Sequence, residues 1–485
     1  MDKESKPMYR NFNDNVNYIK DRLAVDKSFD VIHLDLEYAG RRMAMFMIDG
    51  FVKDDILHLL MKFLARLKED QLEPDPLEKL LKTNIPYIEL DKLGDLDQAS
   101  DQVLAGPIAL IVEGIDQIIM IDARTYPVRG VAEPDLERVV RGSRDGYVET
   151  IVFNTALTRR RVRDRSLRME YLSVGRRSKT DVCVCYLEDI ADMERVKTLK
   201  EHLKKIDTDG LPMAEKTIEE FLCGRHWNPY PTIRYTERPD TAAAHLYEGH
   251  ILLIIDGSPS VMITPATFWH HLQHAEEYRQ KPFIGAYLRF VRFIAVIASI
   301  FILPLYYLFS KQPDLLPENL SFIGPSQDGT VPILVQFLVA EVGIDMLRMA
   351  AIHTPTALAT ALGLVAAILI GEVAVEVGLF SHEVVLYLAV AAIGTFATPS
   401  YELSLANRTY RIILLIATAI FGVKGYVAGI TIWIFYLLRM DSFRIGYLWP
   451  FLPFSARALR DVLIRSPIPL KNRRPTFLNP QDPDR

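Results

Sequence analysis

The chain has 485 residues, 49 % of them hydrophobic, with a formal net charge of −5 and three cysteines. The mild negative balance gives no global case for nucleic acid as a partner, and an odd cysteine count with no C-x-x-C excludes a disulfide framework or a cysteine-based zinc site. Apolar residues are unevenly spread: residues 1–285 have the charged composition of a soluble chain, and long apolar runs dominate from Tyr287 to Leu438.

The first ten residues, MDKESKPMYR, contain no apolar h-region, so no signal peptide is expected and the soluble half is expected in the cytosol. SFDVIHLDLEYAGRRMAMFMIDG reads as two strands around a hairpin at EYAGRR, followed by a helix over VKDDILHLLMKFLARLKED that Pro74 and Pro76 end. GPIALIVEGIDQIIMIDA and HILLIIDGSPSVMITP are two further hairpins of the same form, each an apolar run, an acidic residue with glycine, and a second apolar run. They suggest two related α/β subdomains, expected over 1–130 and 131–280. Between the hairpins lie a helix within GYVETIVFNTALTRRRVRDRSL, strands at RMEYLSVG and TDVCVCYL, and helices over 191–205 and 213–222. Cys183 and Cys185 share one face of a strand and read as buried thiols. Arg159, Arg160, Arg161, Arg163, Arg165, Arg168, Arg176 and Arg177 concentrate charge. That region is either a salt-bridged surface or a contact for anionic headgroups or neighbouring subunits. It lacks the interleaved aromatics of an RNA surface.

The apolar half is expected to form an α-helical transmembrane domain over 281–440, followed by a basic cytoplasmic tail over 441–485. YLRFVRFIAVIASIFILPLYYLF (287–309) is uncharged after Arg289 and Arg292 and long enough for a core of about 30 Å. Those arginines, with Arg439 and Arg444 after the last apolar run, read as basic residues at the cytoplasmic membrane surface. In VPILVQFLVAEVGIDMLRMAAI, Glu341, Asp345 and Arg348 form one polar stripe, so this helix lies in the interface or faces a polar interior. Thr354 and Pro355 then read as a helix start, leading into an apolar segment to Phe380. A further span follows the short turn at Ser381–His382. RIILLIATAIFGVKGYVAGITIWIFYLL (411–438) is one long span with a weak middle at Gly422, Lys424 and Gly425, or two short halves. Four full spans plus the helix at 331–350 keep both termini inside, but this leaves Arg408 and Arg411 outside, against the positive-inside rule.

Glu341, Asp345, Glu372, Glu376 and Lys424 are the candidates for an ion pathway. Charged groups within spans mark pathways or internal pairs, and rings of acids select cations. Glu372 lies 17 residues beyond Pro355, about 26 Å along a helix. The Glu372 and Glu376 pair therefore either lines a pore or forms an interfacial helix end. Lys424 either pairs with an acid or marks a structural break beside two glycines. No catalytic motif of the P-loop, G-x-S-x-G or H-E-x-x-H kind is present, so no enzyme activity and no cofactor are expected. His270, His271 and His274 in FWHHLQH read as an interfacial aromatic–histidine segment rather than a metal site.

Long ordered segments carry a family resemblance. EPDLERVVRGSRDGYVETIVFNTALTRRR, SVGRRSKTDVCVCYLEDIAD and TERPDTAAAHLYEGHILLIIDGSPSVMITP resemble the soluble half of the GerA-type A subunits of spore germinant receptors. LGLVAAILIGEVAVEVGLF and the ending MDSFRIGYLWPFLPF resemble their membrane half, so the likeness covers roughly residues 130 to 465. Within the family the chain is most similar to the stage V sporulation AF branch, through LRMAAIHTPTALATALG and AAIGTFATPSYELSLANR. Its LRMAAIHTP and HAEEYRQ depart from the pattern of ordinary A subunits, which counts against direct nutrient response. The resemblance implies a spore inner-membrane protein that assembles as a homo-oligomer, a pentamer, around a path for monovalent cations. It also implies a small membrane partner and other germination proteins as companions. A membrane-tethered sensor or scaffold, or a transporter without channel activity, is the alternative.

Overall fold

The computed structural model describes residues 6–81, 90–123, 137–224, 226–316, 319, 331–353, 363 and 369–484. They form two compact units. One takes in residues up to 226, 235–265 and 468–485, and the other 227–234 and 266–467. The segment 441–485, expected as a tail, is thus divided between the units.

The first unit opens with α1 (Phe12–Leu23), the hairpin of β1 (Val31–Tyr38) and β2 (Arg41–Ile48), α2 (Asp54–Leu64) and the short α3 (Pro76–Lys79). β3 (Leu90–Leu93), α4 (Leu96–Ala105), β4 (Ile108–Val112) and β5 (Ile118–Ile121) complete a five-stranded antiparallel sheet of order β1-β2-β4-β5-β3. Successive residues of β2 go to opposite faces, and both faces are covered. Ala44, Phe46 and Ile48 pack with Ile19 and Val103, while Met43, Met45 and Met47 pack with Leu60 and Leu64. A strand buried on both faces loses the apolar–polar alternation, which accounts for the continuous run MAMFMI.

A second sheet follows α5 (Ile151–Arg161). It is built from β6 (Leu167–Val174), β7 (Thr180–Leu187), β8 (Arg234–Thr236), β9 (Ile251–Ile255) and β10 (Val261–Thr264), in the order β6-β7-β9-β10-β8. α6 (Met193–Lys204), α7 (Ala214–Cys223) and α8 (Pro239–Glu248) are its further helices. The two sheets share one strand order, and strand–helix–hairpin recurs as β3–α4–β4–β5 and β8–α8–β9–β10. Each repeat ends its helix on a left-handed glycine, Gly106 (φ 118°) and Gly249 (φ 104°), a conformation that disfavours a side chain. Cys183 and Cys185 are buried in the second core and unpaired with each other, and burial pushes both thiols up.

The sheets are joined by a buried ion pair. Arg159 of α5 donates to both carboxylate oxygens of Asp30, at 2.8 and 3.2 Å. The Phe29 amide bonds the Met169 carbonyl at 3.1 Å. The arginine-rich region is salt-bridged: Arg161 to Asp145, Arg165 to Asp97 and Asp101, Arg168 to Glu188, Arg176 to Asp207 and Arg177 to Asp209.

The second unit is helical: α9 (Ala275–Arg279), α10 (Pro282–Lys311), α11 (Ile333–His353), α12 (His382–Phe396), α13 (Tyr401–Phe421), α14 (Val423–Leu438) and α15 (Ala456–Leu463). A two-residue-per-strand ribbon, β11 (Asp441–Ser442) and β12 (Ile445–Gly446), precedes α15. α10 and α13 are each long and apolar enough to cross a membrane; α12 and α14 are apolar but shorter. Of the two readings of 411–438, one span or two halves, the structure has two helices, broken at Gly422, whose φ is 62°. The first of them starts ten residues earlier than expected, where Ser400 accepts from the Leu403 amide as an N-cap. The helix start expected at Thr354 and Pro355 lies outside the described residues.

α10 and α12 approach closely at Gly394. A Cβ there would fall on the Ala295 carbonyl and within 2.8 Å of Ser299 Cβ. Gly394→Val should therefore destabilise the helical unit by about 1–3 kcal/mol, the range for overpacking. A melting temperature in detergent equal to that of the parent would contradict this contact.

Candidate functional site: a buried charge cluster among apolar helices

The acidic and arginine residues of α11 are Glu341, Asp345 and Arg348, which form one stripe on a largely apolar helix. An ionised carboxylate inside an apolar bundle is tolerated only when paired and hydrogen-bonded. The partners come from α13. Arg408 Nε donates to Glu341 Oε2 at 2.7 Å, and Arg411 Nη2 lies 2.7 Å from Glu341 Oε1. Arg408 also bonds the Asp345 carboxylate and the Glu341 carbonyl. Glu341 is 1 % exposed, and Arg408 and Arg411 are 3 % exposed.

Arg411 carries the cluster to two more helices. Its Nη1 donates to the Ser299 carbonyl of α10 at 2.5 Å and to Thr395 Oγ1 of α12 at 3.3 Å. Four helices therefore meet on one set of charges. Two carboxylates balance two guanidinium groups here, and Arg348 lies over the Phe396 ring at 5.8 Å. The arrangement holds no nucleophile with an adjacent base. Its chemistry is electrostatic: it fixes α11 against α13 and keeps charge inside an apolar bundle.

The other candidates fall elsewhere. Glu372 sits in a π-helical turn, Leu369–Val373, and Glu376 ends the short α-turn Ala374–Glu376; both are exposed. The π-turn interrupts the regular helix that the spacing of four assumed. Lys424 is exposed in the first turn of α14, with no carboxylate partner among the described residues. Its neighbours explain the break. A Cβ at Gly425 would fall on the Ala417 carbonyl, and Gly429 is held against Leu414, so glycines bring α14 onto α13.

Of the four basic residues expected at a surface, Arg439 and Arg444 are exposed, Arg439 lying over the Phe435 ring at 5.0 Å. Arg289 is not exposed. It is buried and donates to Glu277 at 2.6 Å and to the Asp461 and Val462 carbonyls. Arg292 is largely enclosed, bonding the same Glu277 and the Leu272 carbonyl. The reason is local: Glu277, buried on α9, needs cationic partners, and the first turns of α10 supply them.

The histidines are structural. His270 Nδ1 lies 2.8 Å from Thr267 Oγ1, and His274 Nδ1 accepts from the Glu276 amide at 3.2 Å. Burial, with Arg234 nearby, pushes His271 down to about 3, so it is neutral in the folded chain. Among the described residues no cluster of His, Cys, Asp and Glu could hold a metal ion.

Sequence reasoning missed Arg408 and Arg411 as partners of Glu341. One signal was present: as loop residues they violated the positive-inside rule. Buried in a helix, they are not loop residues and the conflict disappears.

The sequence profile described as Bacillus/Clostridium GerA spore germination protein matches residues 17–477. Stage V sporulation protein AF of Bacillus subtilis (strain 168) is 49 % identical over 475 residues, covering 98 % of this chain and 96 % of that protein. Spore germination protein KA of the same organism is 28 % identical over 473 residues, covering 96 % and 87 % respectively. The N-terminal domain of the A subunit of the Bacillus megaterium spore germinant receptor GerK3 is 25 % identical, with a TM-score of 0.44, over 55 % of this chain and 99 % of that domain. The chain belongs to the GerA family of spore germination proteins.

Proposed function

We propose that this chain is a membrane subunit of a spore germination complex, and that copies of it assemble as a ring around a gated path for monovalent cations. A pentamer in the spore inner membrane is the assembly the family resemblance implies, with the N-terminal region and C-terminal tail on the cytoplasmic side. The kinship to sporulation and germination proteins supports the setting, and the two long apolar helices support the membrane. One observation carries the pathway: Glu372 and Glu376 are exposed carboxylates in an apolar segment, whereas Glu341 and Asp345 are paired with Arg408 and Arg411. An exposed carboxylate on a spanning element is stable where it faces water or a partner, and a ring of copies supplies both.

Glu372→Gln and Glu376→Gln keep size and polarity but remove charge. Each should lower cation flux from vesicles carrying the assembled protein, the pair by on the order of 10-fold, since charge lining a cleft concentrates counter-ions. Unchanged flux and unchanged cation preference in an intact oligomer would remove these residues from the pathway.

A further inference from the structure

The segment Phe451–Ile464 ends the helical unit, and its position is fixed at both ends. Phe451 stacks on Trp269 at 5.0 Å, and Trp269 meets Phe293 of α10 edge-on at 5.9 Å. Phe293 directly follows Arg292 and begins the uncharged run of α10. At the other end, Arg289 donates to the Asp461 and Val462 carbonyls at 2.9 and 3.0 Å. These are carbonyls of the last turn of α15, which have no partner within their helix. Arg465 donates to the Tyr278 carbonyl at 2.9 Å, and its side chain occupies the space that a Cβ at Gly285 would take. The segment is thus fastened level with residues 285–293, the charged foot of a helix long enough to span a bilayer.

The side chains it leaves outward do not suit water. Leu452 is 58 % exposed and Phe454 69 %, and Phe451, Leu463 and Ile464 are exposed as well. Arg457 and Arg460 are exposed among them, and Arg444 lies just upstream. Between 451 and 464 the sole acid is Asp461, which accepts from Ser466 Oγ at 2.8 Å and lies 3.8 Å from the exposed guanidinium of Arg460, so the segment keeps a net positive charge. Exposed aromatic and aliphatic residues mixed with two arginines against one acid, at the height where an apolar helix begins, match an anionic headgroup layer in charge and polarity.

We propose that residues 451–464 dock on the headgroup layer of an anionic phospholipid bilayer, with Leu452 and Phe454 entering the acyl boundary and Arg457 and Arg460 meeting phosphate. This rests on the reading of the chain as a membrane subunit. The test uses the full-length chain with Cys223→Ser and Phe454→Cys, labelled with an environment-sensitive fluorophore and reconstituted in vesicles of phosphatidylcholine and phosphatidylglycerol. Cys183 and Cys185 are buried and stay unlabelled. The label should emit as in an apolar medium and be quenched by lipids bearing a shallow nitroxide, but not by aqueous iodide. Arg457→Gln and Arg460→Gln should lower the ratio of docked to undocked segment roughly 5-fold each, from about 1 kcal/mol per basic residue at an anionic surface. Water-like emission open to iodide would overturn the proposal. So would apolar emission untouched by lipid quenchers, which would mean that a second copy covers this face. An unchanged ratio in the arginine variants would overturn the assignment to anionic lipid. Alkaline carbonate washing separates the two readings: a stripped protein refutes the membrane reading, whereas a retained protein with a water-exposed label refutes the docking alone.

Discussion

Glu341→Met should lower the stability of the full-length chain by about 3–5 kcal/mol, the cost of removing one partner from a buried ion pair. The substitution leaves Arg408 and Arg411 facing an apolar bundle with only Asp345 to balance them. Adding Arg411→Met should recover much of the loss, because the remaining Arg408–Asp345 pair is neutral overall. A double-mutant cycle by thermal unfolding in detergent reads this coupling directly. Additive losses would mean that the two side chains do not share one cluster. If the cluster fixes α11 against α13, the single variant should also weaken assembly or gating in ways that the double variant repairs.

Arg159→Met should be as severe for the first unit, again by about 3–5 kcal/mol. It leaves the Asp30 carboxylate buried between two sheets with its bidentate partner gone. The loss should be insensitive to salt, since buried pairs are little screened. Hydrogen exchange should rise first at the Phe29 and Met169 amides, which the junction protects. A salt-dependent loss, or exchange unchanged at those amides, would place the pair among ordinary surface bridges.

Much of the first unit was legible because its signals are local. A hairpin needs only two short apolar runs and a turn between them, and the β1–β2, β4–β5 and β9–β10 pairs all declare both. The shared strand order was less legible, because β3 and β8 reach their edges by non-local pairing. In the helical unit, composition located the apolar runs but not their ends. Ser400 caps α13, which starts ten residues ahead of the apolar run that begins at 411, and the left-handed backbone at Gly422 decides between one span and two. The stripe of Glu341 and Asp345 was visible at helical spacing, but its partners lie more than 60 residues away on another helix, as the 67 positions separating Glu341 from Arg408 illustrate. Sequence spacing cannot report such a contact. The burial of Arg289 was hidden for the same reason: arginines before an apolar run give no sign of the buried Glu277 that pairs with them.

The central claim is that the chain forms a cation path. Its most direct measurement is the membrane potential of sealed vesicles carrying only the purified full-length chain, across a potassium chloride gradient. A cation-selective path should drive the potential toward the potassium equilibrium value, and Glu372→Gln with Glu376→Gln should pull it back toward zero. A potential indistinguishable from empty vesicles, or one set by chloride, from an intact membrane-inserted oligomer would contradict the account.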